Sequence, residues 1–597
     1  MPATKIKQIL HLHQSDRLAI MQACFNVQPL VRGTATGPIL WTPISLSFWG
    51  GVDLATGVII DHHHPAKGKL LKDHVFALPS GRGSCTGSGA ILELLLNNQA
   101  PRALIFRKPE DILLLGVLVA RTMFNFSIPI ARLSCEDFDS LQQYQYVSLR
   151  DNVLTASKQE LPFVSSPVVT TASYKSMSLS TKDRDMLRGQ RGVASQLALK
   201  VLVELCELTG VTELLDVAQA HIDATIYIGP AYLEFAQKLV GLGAKFAVPT
   251  TLNALSLDYR RWKELGMAEE AAQPARALAD AYMSMGASMS FTCAPYLLDS
   301  APIQGQQIGW SESNAVVFAN SVLGARTQKY PDLLDVCIAL TGRAPASGCH
   351  NNLQRMPTIV IKLPPLNSYE DSLWACIGYA VGHSAAANLP LIIGLELASP
   401  RMVDLKAFSA AFATTASAAM FHMNGVTPEA TEAGMNISSL PIFELTYANI
   451  MDAYKQLNTA SDSSVDLVSL GNPHFALEEF AELAGLLSVK REAPKTKIIV
   501  TTSRKVQQQA EEAGYLKVLY KAQVEVVTDT CWCMIDEPII PVNARNLMTN
   551  SAKYAHYAPA LVKRGVHFGG LAQCVEAAYT GLHASSTPSW LVDSKRG

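Results

Sequence analysis

Charged residues are scarce in this 597-residue chain: Asp, Glu, Lys and Arg make up 17% of it and nearly cancel, leaving a formal net charge of -2. A surface without strong positive charge does not attract polyanions, which argues against nucleic acid as the principal ligand. Apolar residues make up 49%, yet no apolar run is long enough to span a bilayer. The N-terminal sequence also lacks the apolar core of a secretory signal. We therefore expect a cytoplasmic enzyme with no membrane partner.

Several motifs that would assign a function are missing. The eleven cysteines are odd in number and scattered, which does not describe a disulfide framework. The glycine-rich patterns G-x-G-x-x-G, G-K-[ST] and G-x-S-x-G are absent from the one glycine-rich turn that precedes a helical pattern. The run DHHHP, residues 61–65, would point consecutive histidines to opposite faces of an extended segment, which excludes a three-histidine zinc site.

That glycine-rich turn, residues 79–88, is the most informative segment present. Its sequence PSGRGSCTGS separates an extended run, HVFALP, from an apolar helical series, GAILELLL. Glycines allow a tight turn, and the first N–H groups of the following helix have no partner within the helix. An anionic group could dock there, with Arg82 beside it and the Ser84 hydroxyl within reach. The alternative is an ordinary turn whose Ser or Thr caps the helix.

Three regions are expected along the chain. Residues 1–155 contain short β-type runs and predict a β-rich domain, whereas 156–183 carry Ser, Thr and Pro without periodicity and predict a linker. From 184 to 597, helical patterns alternate with apolar runs, which is typical of parallel α/β sheets. The runs expected to form strands there are TIYIG, AKFAVPTT, TIVIKLP, LIIGLEL, VDLVSLG and TKIIVTTS.

Polar residues follow several of the expected strands. Ligands of open parallel sheets bind beyond the carboxyl ends of the strands, so these residues predict a polar cleft. The segments concerned are AHID, PTTLN, GWSESNA, GNPH and TNSAKYAHY. Any one of them, taken alone, is equally consistent with a hydrogen-bonded core. Cys293, Cys349 and Cys531 occupy similar loops, and thiols distant in sequence can converge there on one metal or cluster.

Taken in order, these segments resemble the aconitase X family in its fused single-chain form. The first region carries WGGVDLATGVIID, an HP pair and PSGRGSCTGS, which resemble the family's small subunit. The second resembles its large subunit in the segments QAHID, VPTTLN, CAPY, WSESNAVVFANSVLGART, FHMNGVTPEA, GNPH, DTC and NSAKYAHY. The resemblance covers nearly the whole chain. It implies an aconitase-like α/β region with parallel sheets, a β-rich swivelling small domain and an active site in the cleft between them.

The resemblance also implies an iron–sulfur cofactor. Family members are dehydratases that use such a cluster as a Lewis acid for the leaving hydroxyl group. In the branch acting on mevalonate 5-phosphate, three cysteines hold the cluster, at positions that match Cys293, Asn472 and Cys531 here. This chain has GNPH where that branch has GCPH, and it has Cys349 in addition. We expect that Cys349 has become the third ligand and that the cluster is [2Fe–2S], with [3Fe–4S] and [4Fe–4S] as alternatives.

The fused form of the family is similar to cis-3-hydroxy-L-proline dehydratases, which form Δ1-pyrroline-2-carboxylate. By that resemblance Ser84 is the base that removes the Cα proton. A serine hydroxyl is a weak base, so Arg82 and the helix-start N–H groups are expected to stabilise its developing charge.

The zwitterionic substrate needs partners of both signs. Asp223 is the expected partner of the ring ammonium and Lys553 that of the carboxylate. Thr225 and Asn253 match substrate contacts of the family and would complete the hydrogen bonding. A small imino acid is thus the expected partner, and the oligomeric state stays open.

Three other functions remain as alternatives. The first is dehydration of mevalonate 5-phosphate or another small hydroxy acid, which the missing GCPH cysteine disfavours. The second is an iron-sensing protein of aconitase type that binds RNA, which would need a basic surface that the balanced charge does not indicate. The third is an electron-transfer protein, which would need four protein ligands where three cysteines are expected.

Overall fold

The computed structural model describes residues 22–61, 64–82, 85–163, 176–366, 369–432, 439–584, 588 and 590. Part of the linker predicted over 156–183 lies outside these ranges. The chain divides into two compact units: Met1–Met177 with Val203–Thr212, and Ser178–Leu202 with Glu213–Gly597.

The first unit is built on an eight-stranded mixed sheet. The strands lie in the order Gln22–Asn26, Val153–Ser157, Tyr146–Arg150, Thr34–Trp41, Val75–Leu78, Ala103–Phe106, Ile130–Arg132 and Gln28–Val31. The four neighbours from Thr34–Trp41 to Ile130–Arg132 are parallel, and the other pairings are antiparallel. Val75–Leu78 and Ala103–Phe106 are buried along their whole length, as central parallel strands are. The helices of this unit are Gly87–Leu96, Ile112–Val119 and Cys135–Ser140.

Among the residues described in the second unit, the strands form four sheets. Three are wholly parallel: Thr250–Leu252, Ala220–Ile222 and Gly309–Trp310; His422–Met423, Pro390–Ile393, Ile359–Lys362 and Ile442–Glu444; and Glu525–Thr528, Ile498–Thr502, Leu467–Leu470, Asn546–Thr549 and Gly565–Phe568. The fourth pairs Arg343–Pro345 with Leu214–Asp216 antiparallel. The predicted α/β class, with parallel sheets after a β-rich N-terminal part, is confirmed.

Helices connect most of these strands. They are Thr181–Leu187, Val193–Thr209, Pro230–Gly241, Glu269–Ser284, Ser313–Ser321, Leu334–Thr341, Asp371–Ala385, Met402–Thr415, Pro428–Glu432, Tyr447–Gln456, Leu477–Ser488, Arg504–Glu512, Tyr515–Lys521, Ala552–Leu561 and Leu571–Thr580. None of the described helices combines the length and the apolarity that crossing a bilayer would require.

The strands predicted at TIVIKLP, LIIGLEL, VDLVSLG and TKIIVTTS are confirmed, whereas AKFAVPTT is a strand only from Thr250 onward and TIYIG is not a strand. The strand ends earlier, at Ile222, and the chain turns immediately after it. The Thr225 N–H donates to the carbonyl of Asp223 at 2.6 Å, and the Tyr227 N–H donates to Ser256 Oγ at 2.9 Å. These backbone groups are therefore used in a turn and in a side-chain contact, and the β-branched residues that suggested a strand do not pair.

Two helices of the second unit approach closely at a glycine. A Cβ atom at Gly378, in Asp371–Ala385, would collide with the backbone carbonyl oxygen of Phe408 in Met402–Thr415. We expect Gly378→Ala to lower the free energy of unfolding by about 1–3 kcal/mol, because the collision is with backbone that cannot rotate away. The measurement is urea denaturation.

Gly485→Ala is the matched control. Gly485 lies in the helix Leu477–Ser488, and a Cβ there would meet nothing within 4 Å. The same substitution should be neutral there or stabilise by about 0.5–1 kcal/mol, because alanine favours the helix. Equal losses at both glycines would contradict the close helix approach.

Candidate active site

The glycine-rich loop of the first unit is held by a buried carboxyl group. The Gly81 N–H donates to Glu110 Oε2 at 2.7 Å, and the Leu113 N–H donates to Glu110 Oε1 at 2.9 Å. Burial raises the pKa of Glu110 above its usual value, although these backbone donors oppose the rise. The loop is thus tied to the start of the helix Ile112–Val119, a connection that the sequence did not reveal.

Arg82, expected beside the base, forms an ion pair with Asp61 at 2.7 Å while its own side chain stays about half exposed. The helix predicted at GAILELLL is confirmed, and it begins two residues earlier than expected, at Gly87. Ser84 itself and Gly83 lie outside the described residues, as do His62 and His63 of the histidine run.

In the second unit, the three-stranded parallel sheet aligns polar residues at its carboxyl end. Ala220 is paired with Thr250 and with Gly309. Continuing this register past the strand ends places Asp223, Asn253 and Glu312 at the same level. Parallel strands present their following loops at one edge, so a polar group after each of the three strands gathers into one site. The strand register therefore brings together the three segments that were predicted to cluster, AHID, PTTLN and GWSESNA.

Asp223 lies in a buried group of carboxyl side chains. Its N–H donates to Asp335 Oδ2 at 2.6 Å, and Asp335 also accepts from Ser311 Oγ at 2.7 Å. Burial, followed by the nearby charges of Asp332, Glu312 and Asp335, raises the pKa of Asp223 well above its usual value. The negative potential around Asp223 favours a positively charged partner.

Asn253 and Thr225 are turned toward this region. The Asn253 side-chain amide donates to Asp223 Oδ1, and its carbonyl oxygen accepts from the Ala254 N–H at 2.7 Å. The Thr225 hydroxyl donates to the carbonyl of Ala254 at 2.9 Å and is fully buried. Asn253 therefore orients Asp223 directly, whereas the Thr225 hydroxyl supports the backbone beside it.

Lys553 forms a buried ion pair with Glu312. Its Nζ lies 2.7 Å from Glu312 Oε1, and the two side chains are 15% and 7% exposed. Burial alone would lower the pKa of Lys553, but the Glu312 charge raises it well above its usual range. Glu312 also accepts from the Ala315 N–H at 2.7 Å and so caps the helix Ser313–Ser321. Lys553 thus keeps its positive charge inside the protein.

Three thiols lie in a run close to Lys553. The Cys531 thiol is hydrogen-bonded to those of Cys293 and Cys533, and these contacts raise its pKa well above its usual value. The Cys533 pKa is instead lowered to about 7, by the Cys531 thiol first and then by the Lys553 charge and an amide donor. The structure therefore brings together Cys293 and Cys531, as predicted, and adds Cys533.

Donor groups surround this run of thiols. The side-chain amide of Asn472 donates to Cys533 Sγ at 3.2 Å, and the His474 N–H donates to Cys293 Sγ at 3.4 Å. The His474 ring is fixed between Thr292 Oγ1 at 3.0 Å and the Thr530 carbonyl at 2.8 Å. The GNPH segment thus contacts two of the thiols, through the Asn472 side chain and the His474 backbone.

Cys349 lies in different surroundings. It is buried in the short helix Gly348–His350, where its N–H donates to Gln328 Oε1 at 3.2 Å. Its carbonyl accepts from Arg355 Nη1 at 2.8 Å, and Arg355 is paired with Glu429. Burial raises the pKa of the Cys349 thiol to about 11. These contacts tie Cys349 to Arg355, and its role as third ligand stays a prediction.

The thiol run fits an iron–sulfur cofactor in its donor chemistry. Cysteine thiolates are the usual ligands of such clusters. Two thiols that hydrogen-bond to each other are already close neighbours, as two ligands of one iron atom must be. Over the described ranges, no group of three or more His, Cys, Asp or Glu side chains is arranged to hold a single metal ion. Binding would therefore require the thiols to lose their protons and turn toward the cluster.

Sequence reasoning missed Cys533, Asp332 and Asp335. Cys533 was visible as the second thiol of the Cys-x-Cys pair in TDTCWC. The two aspartates lie in PDLLDV, a segment whose apolar residues predict burial. Carboxyl groups are costly to bury, so their presence in such a segment was a signal of a functional or structural role.

Family models match four consecutive parts of the chain. The Aconitase X swivel domain matches residues 24–156, and the first domain matches 176–353. The second domain matches 357–455 and the third 465–580. Together they cover most of the chain.

Two relatives are similar over nearly their whole length. A cis-3-hydroxy-L-proline dehydratase of Pseudomonas aeruginosa is 47% identical over 566 residues, which is 94% of this chain and 97% of the relative. One of Hypocrea jecorina is 46% identical over 573 residues, which is 94% of this chain and 96% of the relative. The solved structure of Thermococcus kodakaraensis aconitase X in its holo-form matches with a TM-score of 0.61 at 28% identity, covering 67% of this chain and 100% of that one.

Proposed function

The chain belongs to the aconitase X family and is an enzyme of the hydro-lyase class, and from this premise we propose that it dehydrates cis-3-hydroxy-L-proline to Δ1-pyrroline-2-carboxylate. The observation that carries the proposal is the similarity, over 94% of the chain, to two dehydratases named for this substrate. The charged groups of the second unit support it, because the substrate is a zwitterion and needs a partner for each charge.

Lys553 and Asp223 are the groups proposed to bind those two charges. Lys553 stays protonated inside the protein and offers an ammonium group to the substrate carboxylate. Asp223 lies among the carboxyl groups of Asp332, Glu312 and Asp335, and the substrate ammonium would favour its ionised form. Asn253 holds the Asp223 carboxyl in place, and Thr225 holds the backbone beside it. Binding both ends of the ring fixes the face that it presents for reaction.

The proposed elimination is anti. In the cis isomer, the hydroxyl and carboxylate groups share one face of the ring, so the Cα hydrogen is on the other. We assign Ser84 as the base that takes this proton, with Arg82 supplying positive potential. The Cα–H electron pair forms the ring double bond as the C3–O bond breaks. The departing hydroxide takes up one proton, which balances the one removed from Cα, and leaves as water. The resulting enamine takes up a proton and becomes the cyclic imine.

The leaving hydroxyl group needs an acid. An iron–sulfur cluster held by Cys293 and Cys531, and of [2Fe–2S] type by the expectation above, would supply a Lewis acid for it. The Asn472 amide and the His474 N–H would donate to the thiolates that hold this cofactor. The location proposed for the enzyme is the cytoplasm.

The test is a turnover assay on anaerobically purified protein. The cyclic imine is followed with o-aminobenzaldehyde, with cis-3-hydroxy-L-proline, trans-3-hydroxy-L-proline and mevalonate 5-phosphate as parallel substrates. Imine formation from the cis isomer alone is the expected result. If iron-loaded protein is inactive on the cis isomer and active on another substrate, the proposed substrate is wrong, although the family stands.

A further inference from the structure

We propose that Asp335 is a positioning residue that fixes the spacing between the two charge-binding groups of the site, and that this spacing selects α-imino acids. In such a substrate a single carbon atom separates the ring ammonium group from the carboxylate group. The inference rests on the proposed function, because it takes Asp223 and Lys553 as the partners of those two charges. It adds to that function a fully buried residue and a rule for which ligands fit.

The Asp335 carboxyl group joins the loops that follow two strands. Its Oδ2 atom accepts from the Asp223 N–H at 2.6 Å and from the Ser311 hydroxyl at 2.7 Å. Asp223 follows the strand Ala220–Ile222, and Ser311 follows the strand Gly309–Trp310. These two strands are paired in the same parallel sheet. A single carboxyl oxygen therefore connects the ends of two neighbouring strands.

Each of the two connected residues leads to one charge-binding group. Asp223 is itself the proposed partner of the ammonium group. Ser311 is bonded through the backbone to Glu312, and the Glu312 carboxyl group lies 2.7 Å from Lys553 Nζ. Asp335 thus stands between the group proposed for the substrate ammonium and the ion pair that holds the group proposed for the substrate carboxylate. A displacement of its carboxyl group would change the distance between the two.

The helix Leu334–Thr341 holds Asp335 against the sheet. Ile338 lies three residues after Asp335 and therefore on the same face of this helix. A Cβ atom at Gly309 would collide with the Cγ2 methyl group of Ile338, so the helix packs directly on that strand. Leu333, just before the helix, has a φ of 75°, a strained value that persists only where the surrounding structure imposes it. The entry into this helix is thus fixed.

The Asp335 carboxyl group is buried among hydrogen-bond donors. Burial raises its pKa above the usual value, and four donors oppose the rise. They belong to Ser311, Asp223, Val336 and Ala224. The Val336 N–H donates to the second oxygen, Oδ1, at 2.7 Å, which orients the carboxyl group relative to its own helix. A buried group with this many partners holds them in one arrangement.

A fixed spacing distinguishes ligands by the number of carbon atoms between their charges. In L-proline the ammonium nitrogen and the carboxylate group are bonded to the same carbon atom. In pyrrolidine-3-carboxylate one more carbon atom separates them. Both ligands have a five-membered ring and one charge of each sign, so a change in local charge affects them alike. The ratio of their affinities therefore reports the spacing of the binding groups.

The experiment measures binding of both ligands by calorimetry to the full chain reconstituted anaerobically with iron and sulfide. The variants are Asp335→Asn, Ser311→Ala and the control Asp371→Asn. Asp371 accepts from the Leu571 N–H at 2.6 Å and from the Ser372 N–H at 2.8 Å, so it is a similar connecting carboxyl group in another part of the unit.

The wild-type protein should bind L-proline at least about tenfold more tightly than pyrrolidine-3-carboxylate. Asp335→Asn and Ser311→Ala should each narrow this preference at least about threefold, because the binding groups are no longer held at one spacing. Asp371→Asn should keep it. Ser311→Ala leaves every charge in place, and with the substrate it should raise KM about fivefold while kcat stays within about twofold, since both charges are bound before and during elimination.

Urea denaturation shows whether lower stability alone explains the result, because both aspartate variants lose comparable hydrogen bonds. An unchanged preference in Asp335→Asn and Ser311→Ala would overturn the positioning role and leave the proposed function standing. If Asp335→Asn does not fold, Ser311→Ala decides the question, since it removes one hydroxyl group only. A wild-type protein that binds neither imino acid would overturn the proposed substrate and this inference with it.

Discussion

Replacing Ser84 with alanine is expected to lower kcat for dehydration by about 10²–10⁴-fold, the contribution of a general base. The Cα proton would have no acceptor, whereas the groups proposed to bind the substrate are unchanged, so KM should stay near its wild-type value. A second readout is exchange of the Cα hydrogen with solvent deuterium, which should be lost together with turnover. Iron content should match that of the wild-type protein, because Ser84 is not a ligand.

Ser80→Ala is the control in the same loop. The Ser80 hydroxyl is 3.0 Å from that of Ser45, and its removal leaves the Gly81 contact with Glu110 in place. Activity within about twofold of the wild type is expected for it. A Ser84→Ala protein that retained wild-type kcat would show that the base is another group.

Replacing Lys553 with methionine is expected to lower the free energy of unfolding by about 3–5 kcal/mol, because Glu312 is then a buried charge without its partner. The same change should lower kcat/KM at least about 100-fold, since the substrate carboxylate loses its proposed anchor. Urea denaturation and initial rates measure the two effects.

The double variant Glu312→Gln with Lys553→Met separates stability from binding. Glutamine removes the charge and keeps an oxygen that can accept from the Ala315 N–H. Most of the lost stability should therefore return, because replacing both members of a buried ion pair is often nearly neutral. Activity should stay low. Recovery of both quantities together would show that Lys553 serves only to balance Glu312.

The neighbouring positions of Asp223 and Asn253, which are proposed to bind the substrate, could be predicted because they follow from strand order. Each comes directly after a short strand, and the parallel pairing of the two strands is enough to bring them together. The prediction of a strand at TIYIG was wrong for a local reason. Its apolar and β-branched composition favours a strand, but the Asp223 carbonyl accepts from the Thr225 N–H and closes a turn there.

The convergence of the thiols could not be predicted from the sequence pattern. Cys293 and Cys531 are far apart in sequence, and their selection came from the resemblance rather than from spacing. Whether Cys349 or Cys533 lies beside them depends on side-chain directions across loops, which no periodicity encodes. The Cys-x-Cys spacing was visible, and residues two positions apart on an extended chain point to the same face, so Cys533 could have been considered together with Cys531.

The charged groups around the Lys553–Glu312 ion pair also bear on the net charge of a ligand that could bind there. Asp223, Asp332 and Asp335 add three carboxyl groups to the one that Lys553 balances. A zwitterion brings no net charge into this region. Each of its charged ends loses its hydration shell and gains an oppositely charged side chain instead. A phosphate monoester would bring about two negative charges and add them to a surplus of carboxylates. If the substrate binds beside these groups as proposed, its net charge is expected to matter as much as its shape.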